Sequence, residues 1–323
     1  LPISASEHGV NLDFLLDVNF LIMILVFVIT HIYLFYFAFR YVFNKDRKAY
    51  YYTHSNKLEL LWTSVPAIFL AFIIIFGLDA WIDITDEAPM GSITIELYPK
   101  QFDWTARYAG SDSTLGASNY NMISGTNPLG LITAASITQM SAELEAEIAD
   151  LETQFEVAPE GGVMREELME TIEKRKRQLV RVSSYEDLDT ASIAGGDDDI
   201  LVKTEFVIPK GRDISFKFRS RDVIHSAYMP HFRAQMNCVP GMITELHFKP
   251  TITTDEMRGI TQNAEFEYIL LCNKICGAAH YNMKMVITVV EQEEYDKWLN
   301  EQKTFSDGLS SSPEATAENT MEV

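Results

Sequence analysis

Hydrophobic residues follow two different patterns along the chain, and the first is a pair of long uncharged runs. Phe20–Phe39 and Leu60–Leu78 contain no Asp, Glu, Lys or Arg. About twenty apolar residues cross a bilayer as a helix, and neither run has the polar face that a surface helix of a globular domain keeps. The pattern predicts two transmembrane helices, over about residues 14–43 and 58–82, within an N-terminal unit of residues 1–85.

The charges flanking these runs predict their orientation. The first nineteen residues contain no Lys or Arg, whereas the short connector and its borders are basic. By the positive-inside rule, connector 44–57 is cytoplasmic and both termini lie outside, in the periplasm of a bacterial inner membrane. A chain that begins at Leu1 fits the removal of a signal peptide. The basic residues are Arg40, Lys45, Arg47, Lys48 and Lys57.

The second pattern, from about residue 86, is a period-two alternation. In "SITIELYP", Ile93, Ile95 and Leu97 fall on one face and Thr94 and Glu96 on the other. Such segments, bounded by turn residues, predict a β-sandwich of about seven or eight strands. They occupy residues 86–108 and 200–290: "SITIELYP", "QFDWTARY", "ILVKTEFVIP", "DISFKFRS", "MITELHFKP", "EFEYILLC" and "MKMVITVV".

Residues 109–199 interrupt the alternation. After a loop rich in Gly, Ser and Asn, apolar residues recur at helical spacing, which predicts a helical hairpin over about residues 138–182. The hairpin is either a docking or packing element or a solvated excursion. Residues 291–323 complete the chain, with an amphipathic helix around Glu291–Gln302 and a tail whose composition predicts disorder.

The chain is acidic, with a formal net charge of −20 that comes almost wholly from the part after residue 86. This charge argues against a nucleic-acid ligand. It favours a basic soluble partner that long-range attraction steers to the protein, although solubility alone would also explain it.

One short stretch carries candidate metal chemistry: "CNKICGAAHYNM", residues 272–283. Cys272 and Cys276 are four residues apart, an awkward separation for a disulfide, so a metal loop is the better interpretation. Two thiolates and the imidazole of His280 would suit zinc. A methionine, Met283, adds little to a zinc site, whereas thiolate and thioether donors together favour copper.

The number of cysteines decides which kind of copper site to expect. A mononuclear blue-copper site takes one Cys and two His, and His225 in "RDVIHSAYMP" is the second histidine that a distant strand would supply. Here one cysteine is in excess. Two thiolates can instead bridge two copper ions, with a histidine on each and a methionine and a backbone carbonyl as weak ligands.

These motifs resemble subunit II of haem-copper cytochrome c oxidase. The family's loop, C-x-E-x-C-G-x-x-H-x-x-M, corresponds to Cys272–Met283, and its D-V-x-H-S to Asp222–Ser226. The resemblance covers the two-helix anchor, "QFDWTARY" and about Leu201–Val290, and leaves out the insert. It implies a cupredoxin-like Greek-key sandwich that holds a binuclear copper centre.

By this resemblance each motif residue has a role. Cys272 and Cys276 bridge the coppers, and His225 and His280 are terminal ligands. Met283 is axial to one copper, and the carbonyl of Lys274 is axial to the other. Asp222 supports this ligand set, and Cys238, outside the motif, is expected to be a buried small hydrophobe.

The resemblance also implies a function. The chain would be the electron-accepting subunit of a proton-pumping terminal oxidase embedded in membrane lipid with other oxidase subunits. Cytochrome c, or a tethered cytochrome c domain, would donate electrons, and haem in subunit I would reduce oxygen to water. "LELLWTSVPA" resembles the segment whose glutamate, here Glu59, marks the entrance of a proton-uptake channel. The alternatives are a quinol oxidase subunit II, which lacks the copper ligands, a membrane-tethered copper carrier and a structural zinc domain.

Three features depart from the family pattern. Lys274 replaces the glutamate whose carboxylate serves a magnesium site, so we expect its ammonium to replace that ion. Phe102 replaces a tryptophan at the point of electron transfer from cytochrome c. Strand alternation places Trp104 on the same face, so Trp104 is either a second candidate or an aromatic that fills the sandwich core. The insert is expected to hold the oxidase against a neighbouring complex, either a quinol:cytochrome c reductase or a tethered cytochrome.

Overall fold

Two long helices form the N-terminal part of the computed structural model, which describes residues 1–48, 50–188, 193 and 195–310. Helix α1 spans Glu7–Arg40 and α2 spans Asn56–Thr85. Both are long and apolar enough to cross a membrane, and their most apolar segments are not buried within the chain. Helix α1 begins seven residues before the predicted boundary of 14 because its polar first turn packs on the following domain, where His8 and Gly9 are buried.

The N-terminal residues are attached to that domain by backbone hydrogen bonds. The Ala5 N–H donates to the His231 carbonyl (2.7 Å), and the Thr251 N–H donates to the Ala5 carbonyl (2.8 Å). The Arg233 guanidinium, 9% exposed, pairs with Asp13 in α1 at 2.7 Å. The start of the first membrane helix is therefore held against the sandwich at several points.

The domain is a β-sandwich of two mixed five-stranded sheets. One sheet has the order β3-β2-β1-β5-β8 and the other β4-β10-β9-β6-β7, and β1 with β5 and β4 with β10 are parallel pairs. The core between the sheets includes the rings of Trp104, Phe206, Phe216 and Tyr268. The strands are β1 Ile93–Lys100, β2 Asp103–Tyr108, β3 Ile200–Val202, β4 Glu205–Pro209, β5 Ile214–Phe218, β6 His225–Met229, β7 Ala234–Cys238, β8 Thr244–Phe248, β9 Tyr268–Cys272 and β10 Lys284–Val290.

The described residues form ten strands, more than the seven or eight predicted. The segment "ILVKTEFVIP" is not one strand: β3 and β4 belong to opposite sheets. Strand β6 was expected only as the distant strand that supplies His225, because most of it is buried without alternation, and β7 was not predicted. A short helix, α5 Thr254–Thr261, precedes β9 and begins with a capping box formed by Thr253 and Glu256.

The insert contains a helical hairpin of α3, Ala134–Val157, and α4, Val163–Ser183. A capping box of Thr133 and Ser136 begins α3. The hairpin and the preceding loop bury a small core of their own, formed by Met122, Ile132, Ile137, Met140, Leu144 and Val182. The insert is thus a packed unit rather than a solvated excursion.

A buried ion network fastens the insert to the sandwich. Arg107 on β2 lies 3.0 Å from the Glu96 carboxylate on β1, and its Nε donates to Asp199, where the insert ends, at 3.0 Å. It also donates to the Gly116 carbonyl, and Arg219 contacts the other Glu96 oxygen. Burial alone would raise the pKa of Glu96, but Arg219 and Arg107 lower it below its usual range.

The C-terminal part differs from the prediction. Helix α6, Gln292–Glu301, matches the expected amphipathic helix. A further helix, α7 Phe305–Ser310, occupies the start of the tail predicted to be disordered. It is ordered because Phe305 and Leu309 pack with Leu129 and Leu131 of the insert against Tyr98. The rest of the predicted tail, residues 311–323, lies outside the described residues.

Candidate metal centre

One end of the sandwich brings together two segments that are distant in sequence. His225 is the first residue of β6, and Cys272 is the last residue of β9. These strands are antiparallel neighbours, with Ala227 opposite Cys272. The loop from β9 to β10 is closed at its base by a hydrogen bond from the Cys272 N–H to the Met283 carbonyl (3.1 Å). Residues 272–283 therefore fold back over His225.

Two thiol groups form the centre of this loop. The Sγ atoms of Cys272 and Cys276 are 3.9 Å apart. A disulfide has a sulfur–sulfur distance of about 2.05 Å, so the pair is not bonded and both cysteines are free. The distance leaves room for ions between and beside the sulfurs.

Four further donors surround the sulfurs, two for each. His225 Nδ1 lies 3.7 Å and the Lys274 carbonyl oxygen 3.3 Å from Cys272 Sγ. His280 Nδ1 lies 3.4 Å and Met283 Sδ 3.9 Å from Cys276 Sγ. Every proposed ligand thus lies beside one of the two thiols. The donor atoms of His225, Cys272 and Cys276 all lie within 4.8 Å of one another.

The composition of this set identifies the metals that suit it. A tetrahedral zinc ion takes four donors and would use only the cysteines and histidines. The thioether of Met283, 2% exposed, would then be buried beside the site without a metal to bind. Thiolate, imidazole and thioether donors together favour copper. Two copper ions would use all six donors.

A metal bound at this site would displace a proton from Cys276. Burial and the neighbouring Cys272 raise the pKa of Cys276 to about 11. Metal ions bind the thiolate, so binding releases a proton. Cys238, which is opposite His225 on β7, is fully buried as predicted, and burial raises its thiol pKa to about 12. Such a buried thiol is chemically inert.

Asp222 contacts one of the proposed ligands, His225. Its Oδ1 lies 2.9 Å from His225 Nε2, and its oxygens accept backbone N–H bonds from Gln101 and Val223, each at 2.7 Å. Partial burial alone would raise the pKa of Asp222, but these hydrogen bonds lower it. The carboxylate thus holds the proton of His225 on Nε2 and leaves Nδ1 free to face Cys272.

Replacing Asp222 with asparagine is therefore expected to weaken metal binding without removing a ligand. Groups that hold a metal-binding histidine typically contribute 10–100-fold in affinity, and the asparagine keeps the shape but loses the charge, so we expect about tenfold weaker binding. Competition with a chromophoric copper chelator measures it. Asp112→Asn, an exposed change in the insert, is the matched control. Equal affinities in the two variants would contradict this role for Asp222.

The two aromatic residues proposed for electron transfer do not share a face. Phe102 lies in the two-residue turn between β1 and β2, so strand alternation does not apply to it. It packs against the metal loop: a Cβ added at Gly277 would lie 2.8 Å from the Phe102 ring. Trp104 is fully buried in the core, with its ring 6.4 Å from that of His225. Trp104 therefore cannot line a docking surface.

One contact of the site was not anticipated from the sequence. The Gln101 side-chain amide donates to the Cys276 carbonyl and so joins the β1–β2 turn to the metal loop. The sequence feature that could have indicated this contact is the position of Gln101 directly before Phe102. Gly277, at φ 141°, allows this close approach because it has no Cβ.

Glu59 lies far from this site in sequence, in the first turn of α2. Its backbone N–H donates to the Ser55 carbonyl at 2.9 Å. The side chain is exposed, and within the described part of the chain it forms no ion pair. The structure therefore places it at one end of the α1–α2 helix pair.

Two family models match the chain. "Cytochrome C oxidase subunit II, transmembrane domain" matches residues 1–80, and "Cytochrome C oxidase subunit II, periplasmic domain" matches residues 173–290. The second match begins within α4, so it includes the end of the insert, which we expected to lie outside the resemblance. Strands β1 and β2 fall between the two matches.

Similar proteins are found among known oxidase subunits. The chain is 27% identical over 300 residues to the alternative cytochrome c oxidase subunit 2 of Bradyrhizobium diazoefficiens, covering 93% of this chain and 82% of that protein. It is 22% identical over 313 residues to cytochrome c oxidase subunit 2 of Cereibacter sphaeroides, covering 97% and 83%. The crystal structure of the periplasmic domain of subunit II of cytochrome oxidase of Bradyrhizobium japonicum covers 66% of this chain and 95% of its own, at 17% identity and a TM-score of 0.33.

The two family models together match more than half of the chain, including α1, most of α2 and strands β3 to β10 with the candidate metal residues. The protein is membrane-anchored, and its relatives are subunits of an oxidoreductase. The chain belongs to the cytochrome c oxidase subunit II family.

Proposed function

We propose that the chain is the electron-accepting subunit of a proton-pumping terminal oxidase, taking electrons from cytochrome c and passing them to haem in subunit I, where oxygen is reduced. The observation that carries the proposal is the arrangement of six donors around two thiols 3.9 Å apart. When bound there, a copper pair supplies one-electron redox chemistry. A lone copper carrier would not need Glu59 and the segment around it, and co-purification with a haem-containing subunit separates the two functions.

The protein's part in this chemistry is to hold the ligands still and keep water away. His225 is fully buried and Met283 nearly so. His225 is fixed from behind by Asp222, and the loop is closed by the Cys272–Met283 hydrogen bond. A ligand set that is fixed before the electron arrives has little to rearrange, which favours fast transfer.

The surface around the metal loop suits contact with partner proteins. Exposed apolar side chains project from three loops at this end of the sandwich, and their exposed fractions range from 38% to 90%. Clustered exposed apolar residues mark interaction sites, and we assign these to subunit I and the electron donor. Phe102 is half-buried against the loop, whereas Trp104 is fully buried in the core. We therefore assign electron transfer to Phe102. The residues are Val223, Ile224, Met242, Ile243, Ile275 and Tyr281.

Electron paramagnetic resonance of the copper-loaded, detergent-solubilised chain tests the proposal. An unpaired electron shared by two equivalent copper nuclei gives a hyperfine pattern distinct from that of a single copper. We expect that shared pattern with two coppers per chain. A single-copper pattern, or zinc without a signal, would contradict the binuclear assignment.

Glu59 is proposed to admit protons to a channel in subunit I from the cytoplasmic side. For Glu59 to take protons from that side, the chain would lie in a bacterial inner membrane with connector 44–57 in the cytoplasm. The support is an exposed carboxylate at the start of α2 that forms no ion pair with any described residue. Glu59→Gln in the assembled oxidase should slow turnover while the copper signal stays unchanged. Turnover equal to wild type would exclude the role.

Lys274 is proposed to take the place of a magnesium ion at the interface with subunit I. Its carbonyl faces Cys272, whereas its side chain is exposed and has no ion-pair partner among the described residues. The ammonium would pair with carboxylates of subunit I or with haem propionates. A purified complex that retains magnesium at this interface after chelation would refute the assignment.

The insert is proposed to dock a neighbouring quinol:cytochrome c reductase. The tip of the hairpin exposes Val157, Val163 and Met164 by 81%, 72% and 62%. These residues lie outside the insert's core, so replacing all three with serine should leave folding and copper intact. We expect the triple variant to lose the larger complex on native gels. A complex of unchanged size would contradict the docking role.

A further inference from the structure

The surface at the metal-loop end of the sandwich carries charge of a different sign from the chain as a whole. Five cationic side chains lie on the strand ends and loops around the site, and four of them are exposed. Within the described part of the chain, none of the five forms an ion pair. They are Lys100 at the end of β1, Lys203 before β4, Arg221 between β5 and β6, Lys274 in the metal loop and Lys284 at the start of β10.

The four carboxylates at this end each have a partner within the chain. Asp222, nearest the metal loop, contacts His225 and accepts two backbone N–H bonds. The charge left without a partner at this end is therefore positive. The other three contacts join Asp103 to the Trp104 N–H (2.8 Å), Glu205 to the Thr288 hydroxyl, and Glu245 to Lys217 (3.7 Å).

The carboxylates that give the chain its net charge are joined to the other end of the sandwich. Strand β2 runs from Asp103 beside the metal loop to Tyr108, and the insert begins at the next residue. Over residues 134–183 the hairpin contains eleven Asp and Glu against six Lys and Arg. Strand β10 likewise runs away from the metal loop to Val290, before the acidic helix α6. The net charge of −20 is therefore a poor guide to the charge that a partner meets at the metal loop.

Two of the unpaired cations flank Phe102. Lys100 precedes Phe102 by two residues, and the Arg221 N–H donates to the Pro99 carbonyl at 3.1 Å, so both cations lie beside the β1–β2 turn. Residues 223–224, which are apolar and exposed, follow on the same loop. A partner that approaches the metal centre over Phe102 therefore meets apolar side chains bordered by positive charge.

We propose, on the basis of the function proposed above, that the electron donor docks on this surface through an acidic face, with its carboxylates against Lys100 and Arg221 and its redox group over Phe102. Interactions between exposed charges are largely screened beyond about 8 Å at physiological ionic strength. The cations at the contact, and not the net charge of the chain, therefore decide which partner fits. A donor with lysines around its redox group, which the net charge favours, would place like charges against each other, and such contacts exclude a partner.

Stopped-flow oxidation of two cytochrome c probes by the assembled oxidase tests the proposal. The probes are a basic cytochrome c and the same protein after succinylation, which converts its lysine ammonium groups into carboxylates. At about 0.15 M salt, we expect the acidic probe to be oxidised faster. Arg221→Glu and Lys100→Glu should each slow the acidic probe by at least about threefold, the scale of one charge contact in water, and should speed the basic probe. Lys174→Glu, the same charge change on an exposed residue of α4, is the matched control and should change neither rate.

The possible outcomes separate this docking face from the proposed function. Faster oxidation of the basic probe by the wild-type oxidase, or charge reversals that change neither rate, would overturn the acidic docking face while copper still accepts electrons. Equal slowing of both probes would overturn it as well, because the variants would then disturb Phe102 or the metal loop instead of the contact. If neither probe delivers electrons although the copper signal is intact, the donor is not a cytochrome c, and the proposed function fails together with the docking face.

Discussion

Replacing Cys276 with serine is expected to abolish the electronic coupling of the copper pair. Electron transfer from cytochrome c should slow by at least about 100-fold, because losing a bridging ligand should cost more than losing a group that only holds a ligand in place. Cys276 lies at the centre of the donor set: Cys272 Sγ, His280 Nδ1 and Met283 Sδ are all within 3.9 Å of its sulfur. A serine hydroxyl is a hard donor that does not bridge copper ions as thiolate does. The variant should hold at most one copper.

The measurement is paramagnetic resonance with a copper count, followed by the rate of cytochrome c oxidation in the assembled oxidase. Cys238→Ala is the control, since Cys238 lies behind His225 but is not a donor. It should keep both coppers and the shared signal. A Cys276→Ser protein that retained two coppers and the shared signal would contradict the proposed bridging role.

The metal loop could be predicted from sequence because its ligands are nearly contiguous. Residues 272–283 hold five of the six donors, and their spacing restricts how a loop between two strands can close. Predicting His225 required the D-V-x-H-S motif as well as the hydrophobic pattern. The strand that it begins, β6, is buried on both faces and does not alternate. Strand β7 was missed, although it pairs with β6 beside the site.

The contacts that were not predicted depend on the tertiary structure. Phe102 appeared to belong to a strand because the sequence pattern predicts "QFDWTARY" as a strand that follows "SITIELYP" after a Pro-Lys break. The hairpin turn falls at residues 101–102, and this moves Phe102 onto the metal loop while Trp104 enters the core. The helix α7 could not be foreseen either, since its apolar partners come from the insert and β1. Local sequence propensity carries no information about such long-range contacts.

Replacing Arg107 with leucine is expected to lower the free energy of unfolding by about 3–5 kcal/mol, the usual cost of removing one partner from a buried charge network. Arg107 is 2% exposed, and its partners Glu96 and Asp199 are 3% and 0% exposed. Glu96 retains Arg219, but Asp199 loses its only ion-pair partner among the described residues. Since Asp199 ends the insert and Arg107 is on β2, the loss would loosen the insert from the sandwich.

The stability lost in Arg107→Leu should depend on pH. Whether this loss grows or shrinks as the pH rises follows from the titration of Asp199. Burial raises the pKa of this carboxyl from 3.8 to about 6. A raised folded-state pKa means that the stability contributed by the protonated group is present below about pH 4 and is lost as the pH rises through about 6. Without Arg107 the pKa of Asp199 rises further, so the folded variant can take up a proton more readily. The destabilisation should therefore be larger at pH 7.5 than at pH 5.

Thermal unfolding of the detergent-solubilised chain, followed by tryptophan fluorescence, measures both effects. A loss of this size lowers the midpoint by roughly 10 °C at pH 7.5, and by less at pH 5. Arg175→Leu is the control: its pair with Glu147 within the hairpin is 34% and 42% exposed, so the cost should be at most about 1 kcal/mol. If Arg107→Leu cost no more than this control, or cost more at pH 5 than at pH 7.5, Asp199 would not be a buried carboxylate that depends on Arg107. The insert would then be held to the sandwich mainly by the apolar contacts of Leu129, Leu131 and Phe305 with Tyr98.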